Sequence, residues 1–468
     1  MTWTHQLAAH LGIESGILAT CMVLLGNILL APLYGHLKHP VACHIMSIAV
    51  TSLTYSILFG FAGFVQLTAL ALVCYAIMAT VRCAYTSPIL VGTWIMNKTA
   101  YIDATVPLMM LVMRQITLAW QIHDGTLPDH VSDRRYESIK ERSRRAIVDM
   151  PSILEYLGFL YFFPAFLIGP AFSFVEYNNY LHRRGEFKTI PNPYVPAMEC
   201  LSSTFIPLFI VIQGSPHFSP SRLLDSVLLQ EKTFLQLCVF YIAWKLSETA
   251  CIYTGFGFNG YNENGYATWD RVDNCDMVRI ELAGNIRELV SVWNMQTAVW
   301  LKRDVYGRLT DLGFDKQTAT TITFFISAFW HGVHIGYYIT FMSGSIVTII
   351  ARHIRRHIRP IFANEHSLWH WLKPVYDVTG IVTTQLTTVY IVIPFLVRDI
   401  WQCFLIYRAL YFFVHVGMVV LYVAFETKLG RAGLAHMGIS VNDPIKFETT
   451  SESGPVTDPV KTVRQKNC

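Results

Sequence analysis

Apolar runs of about bilayer-crossing length, separated by short polar connections, dominate the chain. They fall near 15–33, 41–62, 64–83, 104–120, 153–175, 200–214, 233–253, 318–350, 376–398 and 402–425. About 20 apolar residues in helical conformation cover the hydrocarbon core. The pattern therefore predicts an all-α polytopic membrane protein with roughly 10–11 transmembrane helices, plus re-entrant or amphipathic helices around a central cavity. The run at 318–350 exceeds one crossing. It predicts either a long tilted helix or two helices broken near Gly332–Gly336.

Two regions interrupt the pattern. Gln121–Met150 is a polar, charge-rich connection. Gly255–Arg308 opens with the Gly- and Asn-rich run GFGFNGYNENGY and then turns amphipathic. From Met277 to Leu309 the sequence reads as helix, yet it is too polar to face lipid, so it must lie at the interface, re-enter, or line a cavity. Residues 1–425 are expected to form one membrane-embedded domain. Residues 426–468 form a polar tail, disordered towards its end.

Composition strengthens the membrane reading. Charged residues make up 15% of the 468-residue chain and hydrophobic residues 53%, whereas soluble domains carry about 25% charged. Residues 15–125 hold only Lys38, Arg82, Lys98, Asp103, Arg114 and Asp124 as acidic or basic side chains. The net charge of +4 gives no reason to expect nucleic acid as a partner. Positive charge gathers in Asp133–Arg145, His182–Lys188 and Arg352–Arg359, which marks those segments as candidates for the cytoplasmic side. The ten cysteines show no CxxC spacing and lie largely in apolar segments, where cysteine behaves as a small hydrophobe. No basic run precedes the first apolar segment, which is expected to be a retained span.

An ionisable residue at membrane depth is costly and is a site candidate by default. His331 lies in TITFFISAFWHGVHIGYYITF. The bland reading is a histidine satisfied by a neighbouring helix. Gly332 and Gly336 beside it favour close backbone approach or a local break, and hence a site. A second constellation is SVWNMQTAVW, where Asn294 lies between Trp293 and Trp300. Seven residues apart, the two tryptophans would share a helical face. A metal-binding rival comes from the spaced histidines His331/His334, His353/His357 and His366/His370. Adjacent HH pairs are missing, and Arg352, Arg355, Arg356 and Arg359 crowd the middle pair with no carboxylate nearby in sequence. Such charges repel a dication. No metal site is expected.

At these residues the chain resembles the membrane-bound O-acyltransferases, and within them the lysophospholipid acyltransferases. The resemblance covers about 121 to 345. It rests on PSILEYLGFLYFFPAFLIGPAF, WKLSETACIYTGFGFNG, Trp269–Arg271, VWNMQTAVWLKRDVY and SAFWHGVHIGYY, in that order. It implies acyl transfer from acyl-CoA to the free sn-2 hydroxyl of a lysophospholipid, in the endoplasmic reticulum membrane and with no bound cofactor. It places the family's histidine on His331 and its asparagine on Asn294. Trp293, Trp300, Trp330 and Tyr337 become candidates for the substrate cavity, and Lys302 and Arg303 for the CoA phosphates. One departure stands out: the branch commonly has His-Gly-x-x-Pro-Gly-Tyr, and here Ile335 replaces the proline.

An alcohol is a weak nucleophile until a base takes its proton, and a neutral imidazole in hydrogen-bond reach can do so. Burial in an apolar shell favours that neutral form. In this scheme His331 is the general base, and Asn294 binds the hydroxyl or the developing oxyanion. Two alternatives stay open: another acceptor within the superfamily (sterol, diacylglycerol or protein), and a non-enzymatic transporter. Transporters often show paired, symmetry-related halves, and none is visible here.

Overall fold

A computed structural model describes Gln6 and residues 15–81, 105–126, 142–214 and 226–436. The end of the polar tail and the centre of the 121–150 connection lie outside these residues. Among the described residues the chain is built of α-, 3₁₀- and π-helical segments, with two isolated β-bridges, Tyr261–Ala267 and Cys275–Trp293.

Six described helical stretches are long and apolar enough to cross a membrane: Ser15–His36, Pro40–Phe59, Phe61–Thr80, Tyr194–Gly214, Ile335–Ala363 and His370–Val397. A seventh arises if Ile400–Ala409 and Phe413–Glu426, bent by 79°, count as one broken span. That bend falls where Tyr411 and Phe412 both take left-handed backbone, which a right-handed helix cannot continue through. Leu29, Ile206 and Val419 are each more than 60% exposed, as suits helices whose outer face meets hydrocarbon rather than water.

The remaining apolar runs behave differently, each for a physical reason. Thr105–Asp124 buries all of residues 109–115, so this helix passes through protein rather than lipid. Ser226–Thr254 packs along Ser15–His36 and carries a buried Glu248. The expected span at 153–175 is not a span. Its helix stops at Leu160, gives a 3₁₀ turn at Phe163–Ala165, and restarts at Phe174. Pro164 and Gly169–Pro170 break the run, and the freed carbonyls find donors inside the protein. Arg114 donates to the oxygens of Phe159, Leu160 and Ala165 (3.2, 2.7 and 2.7 Å). Thr51, Asn27 and Ser247 donate to those of Tyr161, Phe163 and Pro164. Non-helical backbone survives at membrane depth only where it is satisfied in this way.

Of the two readings of 318–350, the broken one holds. Lys316–His331 ends at Gly332, whose φ is 123°, and Ile335–His353 follows. The tail begins as a helix, Lys428–His436. Two apolar clusters organise the molecule. The larger joins the helices before residue 82 to 156–187 and 238–256, and the smaller ties 347–350 to 390–418. Between them, Trp300 and Trp330 pack with Cys74, Met109, Met110, Val112 and Met113.

Candidate active site

His331 closes the helix Lys316–His331 and is ringed by aromatic side chains. Its ring stacks on Phe341 (centroids 4.9 Å apart) and meets Trp330, Phe395 and Tyr337 at 4.9, 5.1 and 5.8 Å. Both glycines flagged in the sequence act as expected. Gly332 supplies the break. At Gly336 a Cβ would lie 2.1 Å from the Pro394 carbonyl oxygen, so only glycine lets the Lys373–Val397 helix come close enough to place Phe395 against His331. Ile335 is the first residue of its helix, behind the N-cap His334. The backbone N–H there has no intrahelical partner, so the missing proline costs little.

Trp330, 5% exposed, donates its indole N–H to the Met109 carbonyl at 2.9 Å. Its ring lies 5.9 Å from that of Trp300. Trp300 is 1% exposed, and its own indole N–H is buried without an acceptor among the described residues. Trp300, Trp330, His331 and Tyr337 thus form one aromatic cluster at the seam of the two cores.

Trp293 does not belong to it. The stretch 277–309 is not one helix but a series of short ones, Met277–Glu281, Ile286–Val292 and Met295–Trp300, continuing through a π-segment, Leu301–Tyr306, into Gly307–Asp311. Asn294 takes left-handed backbone (φ 45°, ψ 52°) and interrupts the run. This break turns Trp293 away from Trp300, so the shared face expected from their spacing is lost. Trp293 packs on Trp244, Tyr241 and Phe240 instead. Asn294 stands at the head of the helical run whose sixth residue is Trp300, about 9 Å along the axis.

The basic pair divides. Arg303 grips the adjacent Asp304 with two 2.8 Å contacts, and Thr117 donates to the same carboxylate at 3.1 Å. Lys302 is exposed. The histidines at 353 and 357 stack, and a carboxylate absent from their sequence neighbourhood reaches them. Glu426 accepts from His353 at 2.9 Å and from Gln317 at 2.8 Å. Only a contact across 73 residues could supply it.

Several residues escaped the sequence reading. Arg271 donates to the Phe258 carbonyl, pairs with Glu186 and lies over Phe187, so the Trp269–Arg271 motif staples the 255–276 loop to the Gly185–Lys188 turn. Burial would raise the Glu176 carboxyl, but Arg145, Arg271 and the Ser173 hydrogen bonds hold it below the usual range. Asn274 and Glu248 join the loop to the backbone around Asn294. A glutamate in an apolar run, with Lys245 one turn before it, is visible in one dimension, but its contact with Asn274 is not. Separately, an apolar groove of about 620 Å³ opens along Ile339, Tyr407, His415, Val416, Val419 and Val420. Neither His331 nor the 255–308 stretch lines it.

A polytopic helical chain with an aromatic-walled histidine where its helices meet defines an integral membrane protein. The sequence matches the MBOAT, membrane-bound O-acyltransferase family over residues 89–393, and the chain belongs to that family. It is an O-acyltransferase. A lysophospholipid acyltransferase of Schizosaccharomyces pombe is 33% identical over 349 residues, 70% of this chain and 67% of the relative. Membrane-bound glycerophospholipid O-acyltransferase 1 of Homo sapiens is 31% identical over 405 residues, 77% and 79% of the two chains. A lysophospholipid acyltransferase of Saccharomyces cerevisiae is 30% identical, and the match spans 67% of this chain and 56% of that one.

Proposed function

We propose that this protein is an acyl-CoA:lysophospholipid O-acyltransferase of the endoplasmic reticulum membrane, with His331 as general base and Asn294 as the group that binds the reacting oxygen. The observation that carries the reading is the surroundings of His331. Four aromatic rings hold the half-buried imidazole, and among the described residues neither ring nitrogen has a hydrogen-bond partner. A ring nitrogen that no neighbour occupies is open to a substrate hydroxyl. The names of the relatives support the acceptor class.

The reaction balances without a metal or resident cofactor. The lysophospholipid hydroxyl oxygen attacks the thioester carbonyl carbon as His331 takes its proton. The tetrahedral intermediate collapses, the C–S bond breaks, and the proton passes to the departing CoA sulfur. Asn294 stabilises charge on oxygen, a role in which one donor typically contributes about 10²–10³ in kcat. With Arg303 held by Asp304, the exposed Lys302 is the better candidate of the pair for a CoA phosphate.

The test is acyl transfer from labelled oleoyl-CoA to a panel of lysophospholipids by purified protein, with free thiol followed in parallel. His331→Ala is expected to lower kcat at least 10³-fold while the variant elutes and melts like the parent. Near-native turnover by that variant would exclude His331 as the base. Acyl transfer only to a sterol or diacylglycerol would reassign the acceptor.

A further inference from the structure

An asparagine at the head of a helix normally caps it, its side-chain oxygen accepting from the free N–H groups of the first turn. Asn294 occupies that position and makes no such bond. Its left-handed backbone differs from the extended backbone of an ordinary N-cap. The orphan N–H groups are instead served by a residue twenty positions upstream. The Met295 N–H donates to the Asn274 carbonyl oxygen at 2.8 Å, and the Gln296 N–H to the Asn274 side-chain oxygen at 3.1 Å.

Asn274 is itself fixed. It is 1% exposed, and its N–H donates to the Glu248 carboxylate at 2.7 Å. Glu248 is fully buried, and its other oxygen accepts from the Lys245 ammonium. The Cys275–Trp293 bridge and the Asp276 N–H bond to the Val292 carbonyl lay this strand of chain antiparallel to the Asn294 segment. The Gln296 amide ties the same turn to the Arg271 and Asp273 carbonyls.

We infer that Asn274, held by Glu248, is a positioning residue for Asn294: by capping the helix in its place, Asn274 leaves the Asn294 amide free for the reacting oxygen. This rests on the reading of Asn294 given above. Without the Asn274 side chain, the Gln296 N–H loses its acceptor, and the turn that carries Asn294 loses a tie to the buried Asn274–Glu248 pair. The Asn294 amide would then no longer be held in one place for the reacting oxygen.

The experiment is a double-mutant cycle on purified full-length protein: Asn274→Ala, Asn294→Ala and the double variant, assayed with labelled oleoyl-CoA and lysophosphatidylcholine. Asn274→Ala is expected to lower kcat about tenfold or more with KM for oleoyl-CoA within about twofold of the parent. In the Asn294→Ala background the same change should remove no more than about twofold further. A merely structural Asn274 would give the same loss in both backgrounds and a lowered melting temperature, and that result overturns the proposal. So does an Asn274→Ala enzyme that keeps half its parent kcat. If Asn274→Ala is not recovered folded, Asn274→Ser enters the same cycle with the same expectations. The two readings fail separately: near-native turnover by Asn294→Ala sinks the role of Asn294, whereas its loss beside an unaffected Asn274→Ala sinks only the positioning.

Discussion

At Ile335 one residue separates this chain from its family's common histidine motif, and the local backbone says what that difference is worth. His334, just before it, has φ −64° and ψ 127°, the extended geometry that a following proline demands. Position 335 is the first of its helix, where proline's fixed φ is favourable and its missing N–H is not needed. Ile335→Pro is therefore expected to fold, to keep kcat within about twofold, and to hold or raise stability by about 0.4–1 kcal/mol. Melting of the detergent-solubilised variant, with turnover measured in parallel, checks this. A large loss of turnover would mean that the isoleucine side chain, 48% exposed, is itself selected for at the site.

Among the elements, the broken segment 153–175 shows how an apolar run can look like a crossing and not be one. Its residues 159–166 are almost wholly buried, and three of its carbonyls accept from one side chain of another helix, Arg114. The Arg114 guanidinium also lies 4.5 Å from the centre of the Phe172 ring. A buried arginine that serves carbonyls rather than a carboxylate acts as a distributor of hydrogen bonds. Arg114→Met, which preserves much of the apolar stem, would leave the Leu160 and Ala165 carbonyls buried without that donor, while Phe159 keeps the Phe162 N–H. The expected cost is roughly 3 kcal/mol or more, seen as a loss of monodisperse protein on size-exclusion chromatography and a lowered melting temperature. Arg114→Lys, with one point charge in place of a fork, should fall between the two.

For the molecule as a whole, the site depends on how two cores meet. The larger core holds the segment before Asn294. The smaller brings Phe395 to His331 across the Gly336–Pro394 approach. Gly336→Ala places a methyl group 2.1 Å from a backbone oxygen, and backbone cannot yield as a flexible side chain would. The two helices must move apart, and a shift of about 1 Å at a reacting group can cost about 10²-fold in rate. The expected outcome is a kcat lowered at least tenfold in protein that still inserts and purifies. Unchanged turnover would show that Phe395 is not needed to hold His331.

The sequence by itself determined that the chain is a helical membrane protein, because charge deficit and run length are local properties read residue by residue. It also singled out His331 with its two glycines, since an ionisable group in an apolar run is anomalous in one dimension already. Periodicity misled at Trp293 and Trp300, because it assumes an unbroken helix and cannot see one residue turning left-handed at Asn294. The expected span at 153–175 failed for a related reason: its breakers were visible, but the donors that make a break tolerable come from Asn27, Thr51, Arg114 and Ser247. Glu426 beside His353, and Asn274 beneath the Asn294 turn, were likewise out of reach. Capping, ion pairing and carbonyl satisfaction are contacts between distant parts of the chain, and only the packed tertiary structure decides which partner supplies them.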